Sequence, residues 1–163
     1  MESRAKLLGH PVHPMLIVLP LGLFIAAVVF DALYLWRGSP IFATVAYWNI
    51  AAGVVGGLLA AVFGLIDWLA IPAGTRAKRI GLLHGGSNVV VVLIFAVVWL
   101  MRGNTPDATP TTSLFLLELV ALALGSVAGW LGGELVDRLG VGVDDGAHLD
   151  APSSLSGRPA RQR

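Results

Sequence analysis

The stretch PMLIVLPLGLFIAAVVFDALYLW, residues 14–36, decides the fold. It carries one charge, Asp31, in 23 residues. As a helix rising 1.5 Å per residue it reaches about 35 Å, enough to cross the ~30 Å hydrocarbon core of a bilayer. A signal peptide has an apolar core about half as long and then a small-x-small cleavage site. No such site follows here, so the stretch reads as a retained membrane helix. Three more stretches of the same kind lie at about 47–71, 80–101 and 113–135. With 56% of the chain hydrophobic and a mean hydropathy of +0.79, there is too little polar surface for a small soluble domain. A bilayer-embedded chain is the class left.

The clusters RGSP (37–40), IPAGT (71–75) and RGNTPDATPTT (102–112) are turn chemistry and separate the four spans. Short connections force neighbouring helices to be antiparallel. The expected fold over residues 1–140 is therefore all-α, an integral-membrane four-helix up-down bundle. Arg4, Lys6, Arg76, Lys78, Arg79 and Arg138 fall on one side, joined by Arg158, Arg161 and Arg163 of the tail, against Arg37 and Arg102 on the other. Without the tail the bias is six to two, which predicts both termini in the cytoplasm. A net charge of +1, with the basic residues serving topology, gives no sign of a nucleic-acid partner. The absence of cysteine excludes disulfides, thiolate ligation and thiol catalysis within the chain. Residues 141–163 are polar and rich in Pro, Gly and Ser, and read as a disordered cytoplasmic tail.

Small residues recur in the second and fourth spans. Gly53, Gly57 and Ala61 form one row, Gly56, Ala60 and Gly64 another, and Ala121, Gly125, Gly129 and Gly133 a third. Such rows let helix backbones approach closely, and they predict tight packing of the second span on the fourth, with a homodimer contact as the alternative use. The first and third spans follow LLGH and LLH and end in LYLWRGSP and VVWLMRGNTP. This suggests two hairpins related as parallel repeats.

Ionisable residues in a span call for an explanation. Counting about 20 residues inward from the outer ends places His10, His13, Asp67, His84 and Glu134 at one depth, on all four helices, at the cytoplasmic boundary. His84 shares a face with Asn88, and Trp68 and Trp130 are candidate walls. Pro11 and Pro14 suit the first turn of a helix and would hold the two nearby histidines stiffly. Haem b would take axial histidines from this set. A single iron or zinc ion would take two or three histidines and a carboxylate. The bland alternative is a ring of polar groups capping helix ends. At the other end Asp31 and Glu118 point inward. Either they pair with Arg37 and Arg102 or simply reach the interface, or they belong to a proton or cation path. No phosphate loop, nucleophile triad or HExxH motif is present, so an enzyme is conceivable only through the inner cluster.

The segments GHPVHPMLIVLPLGLF, GLIDWLAIPAGTRAKRIGLLHG and GWLGGELVDRLGVGVD together resemble the bacterial membrane-protein family called domain of unknown function 2231, over residues 7–145. The resemblance implies a four-span inner-membrane protein of unassigned function, some relatives of which are joined to a Rieske iron-sulfur domain. It implies motif roles for His10, Pro11, His13, Pro14, Asp67, Trp68 and His84. It also implies a histidine in the last segment, where this chain has Glu134 and Leu139. The expected function is a haem- or metal-binding electron-transfer membrane subunit with a Rieske-type or other redox partner. A non-catalytic scaffold or partner subunit and a small proton or cation transporter are the alternatives.

Overall fold

A computed structural model describes residues 1–103 and 106–160; Asn104 and Thr105 of the third turn cluster, and Arg161 and Arg163 of the tail, lie outside the described residues. Four helices are long and apolar enough to cross a membrane: α1 (Val12–Arg37), α2 (Pro40–Ala70), α3 (Arg76–Arg102) and α4 (Thr112–Arg138). Only 17 to 28% of the most apolar window of each is buried inside the chain, so most of that surface is left for lipid. The helices start and stop where local chemistry dictates. Thr75 and Thr111 accept from the backbone N–H groups of Lys78 and Leu114, satisfying otherwise orphaned donors. Gly38, at φ 70°, closes α1 in the left-handed conformation that a side chain would resist. Inside α1, Pro20 has no N–H for the Leu16 carbonyl, and the helical pattern hitches at Ile17. α2 begins seven residues ahead of Tyr47, because Pro40 suits a first helical position and Ala43 and Ala46 bury against the bundle.

Helices adjacent in sequence pack side by side, and α4 closes the ring against α1. This leaves α2 and α4 on a diagonal, and the expected tight contact between the second and fourth spans is corrected accordingly. The glycines of α2 instead admit its two neighbours. A Cβ on Gly53 would lie 2.6 Å from the Phe24 ring of α1, and one on Gly57 would lie 2.7 Å from Val92 of α3. On α4, Gly125 has only Val91 near it, at 3.9 Å, Gly129 faces open space, and Gly133 is approached only by Asp137.

The suggested duplication is visible in side chains. His13 and His84, Phe24 and Phe95, and Asp31 and Arg102 are each 71 residues apart. Each pair meets between α1 and α3. The phenyl rings stack at 4.0 Å near the middle, the histidines lie at the end bearing the termini, and the ion pair lies at the opposite end. The hairpins α1–α2 and α3–α4 are thus equivalent halves whose first helices face each other along the axis. The LLGH/LLH likeness would align His10 with His84; the contacts align His13 with it.

Before α1 the chain makes a miniature hairpin, β1 (Lys6–Leu7) with β2 (His10–Pro11), turned through Leu8 and Gly9, both at positive φ. Met1 donates through its amino group to the Gly140 carbonyl, and Lys6 pairs with Glu2 and Asp144, so both ends of the chain lie together.

Candidate functional site

His13 stands in the first turn of α1 between Pro11, the residue before the helix, and Pro14, whose missing N–H falls among those that a helix start leaves unpaired anyway. Its Nδ1 is 2.8 Å from the Ala60 carbonyl of α2. His84 of α3 repeats the arrangement, with Nδ1 2.8 Å from the Ala128 carbonyl of α4. A carbonyl only accepts, so each Nδ1 must carry the proton and donate. Each ring lies over a glycine one turn beyond its acceptor: a Cβ on Gly64 would be 2.9 Å from His13, and a Cβ on Gly132 would be 3.0 Å from His84. The seat is therefore the same A-x-x-x-G unit in both hairpins, Ala60 to Gly64 and Ala128 to Gly132. Small side chains at both positions let the imidazole reach the helix backbone.

The two rings are themselves neighbours, with centroids 6.2 Å apart and planes at 84°. With both Nδ1 atoms committed to backbone carbonyls, the Nε2 atoms are the ones left for chemistry. Asn88, one turn along α3, donates to the His84 carbonyl at 2.9 Å and approaches His84 Nε2 at 3.4 Å.

The other inner residues go elsewhere. His10, in β2, is exposed and lies 3.2 Å from the Ser154 hydroxyl of the tail. Asp67 collects the N-terminal segment. Ser3 Oγ donates to its carboxylate at 2.8 Å, and the N–H groups of Arg4 and Ala5 at 2.7 and 3.3 Å. Glu134 pairs with Arg76 at 2.6 Å, joining the ends of α3 and α4. Among the described residues, no three His, Asp or Glu side chains form a group able to hold one ion. One depth on four helices is not one point, and a carboxylate near a chain end finds backbone N–H groups or an arginine before it reaches the axis. The proposed walls also move away. Trp130 is 68% exposed, and Trp68 donates to the Lys78 carbonyl at 3.1 Å with the Lys78 ammonium over its ring.

At the opposite end Asp31 pairs with Arg102 in two-pronged geometry, Nη1–Oδ2 2.6 Å and Nη2–Oδ1 3.0 Å. Glu118 stands beside Arg102 at 3.6 Å. Arg37 takes no part; its guanidinium lies 4.2 Å from the centroid of the Trp36 ring. Sequence reasoning placed Ala60 and Gly64 in a packing row without seeing that they seat His13, and it missed Ala128 and Gly132. The signal that could have found them was the paired A-x-x-x-G units, each on the helix after a histidine.

A membrane bundle of two equivalent hairpins, each sending one backbone-anchored histidine to the shared axis, is the class that these contacts define. The chain belongs to the family described as predicted membrane protein (DUF2231), whose model matches residues 9–145. No curated protein and no solved structure matches it.

Proposed function

We propose that this membrane protein is an electron-transfer subunit of a bacterial inner membrane, its termini cytoplasmic, that holds a metal centre between His13 and His84. The observation that carries this reading is the pair of rings, each fixed through Nδ1–H to a backbone carbonyl. That bond sets the tautomer, orients the ring and leaves a basic Nε2, the arrangement common to metal-ligating histidines. His13 and His84 would hold the metal through Nε2, and with centroids 6.2 Å apart the two rings are near enough for both to reach one metal at the usual ~2 Å per bond. A donor set of two histidines would suit haem b, which takes one or two from the protein. A lone iron or zinc ion would want a third or fourth protein ligand. When bound, haem or iron would supply one-electron transfer; zinc, which has no redox chemistry, would not. The residues of the chain orient the ligands, and the apolar helix faces exclude water. A Rieske-type or other redox protein on the cytoplasmic side is the fitting partner.

A second reading has its own support. The same two bonds staple α1 to α2 and α3 to α4, and that is all a scaffold would ask of them. Visible spectroscopy and elemental analysis of detergent-purified protein separate the two. The redox reading expects a Soret band or stoichiometric iron, lost alike in His13→Ala and His84→Ala. Colourless, metal-free protein, loaded by neither haem nor iron and still folded after both replacements, would leave the scaffold.

A further inference from the structure

Three charged side chains meet at the end of the bundle away from the termini: Asp31 of α1, Arg102 of α3 and Glu118 of α4, each with 0% of its surface exposed. They are the only buried Asp, Glu, Lys, Arg or His side chains among the described residues. Arg102 directs two nitrogens at Asp31, bonds the Ala43 carbonyl of α2 at 2.9 Å and, through Nε, bonds the Ala108 carbonyl at 2.8 Å. Its Nη1 stays 3.6 Å from Glu118 Oε1, too far for a hydrogen bond. Neither carboxyl oxygen of Glu118 receives a hydrogen bond, although the group faces the carboxyl of Asp31. Two ionised carboxylates in that position would be acceptor against acceptor, and the contact becomes a hydrogen bond only when a proton lies between them.

Charge counting leads to the same place. One guanidinium balances one carboxylate, and a second bare carboxylate in a bilayer-embedded bundle costs several kcal/mol. Among the described residues no other counter-charge is buried with them: α2 presents the Ala43 carbonyl, and Arg37 and Asp107 are exposed. We infer that Asp31, Arg102 and Glu118 form a proton-binding site, in which the two carboxyls share one proton and Arg102 is the fixed counter-charge. The site stands apart from the histidine pair and requires no metal there.

Infrared pH-difference spectra of the protein in lipid nanodiscs test this. Wild type should show the carbonyl band of one protonated carboxylic acid per chain at neutral pH, shifted in D2O. Glu118→Gln, which copies the shape of the protonated acid, should lose the band and keep the thermal midpoint of wild type. Asp31→Asn should lower that midpoint, because Arg102 loses its two-pronged partner and Glu118, 3.6 Å away, can replace that anion only by giving up its proton, which also abolishes the band. The inference fails if wild type lacks the band at neutral pH, or if the band survives in both variants. It also fails if Glu118→Gln is destabilised as much as Asp31→Asn, since Glu118 would then be serving as a second anion.

Discussion

Arg102 has no exposed surface and joins α1, α2 and the connection before α4 in one set of bonds. Removing one partner of a buried ion pair strands the other. Arg102→Met should therefore lower stability by about 3–5 kcal/mol, read as denaturant or thermal unfolding in detergent. Lys6 belongs to another regime, at the surface near both chain ends. Hydrogen bonding to Asp144, then to Glu2, holds its ammonium above the ordinary value of 10.5, and the same contact with Lys6 holds Glu2 below 4.5. The Lys6 contribution is complete below 10.5 and fades as pH rises through the raised value; the Glu2 contribution is complete above 4.5 and fades as pH falls through the lowered one. Backbone NMR signals of residues 1–6 and 140–145 should hold steady between those limits and move outside them. Lys6→Met should loosen this contact at neutral pH while costing the bundle no more than about 1 kcal/mol.

At the scale of helices, glycines that look alike in sequence divide by what lies opposite. Gly53→Ala would drive a methyl into the Phe24 ring, itself stacked on Phe95, and should cost about 1–3 kcal/mol of overpacking. Gly129→Ala meets nothing within 4 Å and should be neutral or stabilising by up to about 1 kcal/mol, since alanine is the better helix former. Unfolding of the two variants in detergent decides it. The spans, their turns and their antiparallel order were legible in the sequence because bilayer thickness and turn residues act locally. Depth was legible too, and it brought His13 and His84 to one level. Azimuth was not: whether Asp67 turns to the axis or to Ser3, and whether Trp130 turns inward or to lipid, depends on helix rotation, which a nearly all-apolar helix hardly encodes. The same blindness hid the partner of Asp31. The expected pairing with Arg37 or Arg102 reduced to Arg102 once the 71-residue spacing set the register.

For the whole molecule, two equivalent hairpins imply two folding units. Cutting the chain at Gly74, an exposed turn residue at φ 78° with open space around it, separates them without touching the axis. Fragments 1–74 and 75–163 expressed together should co-purify as a 1:1 complex, and that complex should weaken sharply in Arg102→Met; fragments that fail to associate would sink the picture of two docked halves. The Asp31–Arg102 pair also bears on whether the two halves are interchangeable. A dimer of identical hairpins has a true two-fold axis, so whatever residue sits on it meets its own copy: histidine can face histidine and phenylalanine can face phenylalanine, but aspartate would face aspartate and arginine would face arginine. Opposite charges at that position require halves that differ. The far end of this bundle is thus the place where the two halves cannot be alike, and neither half could make that contact with a copy of itself.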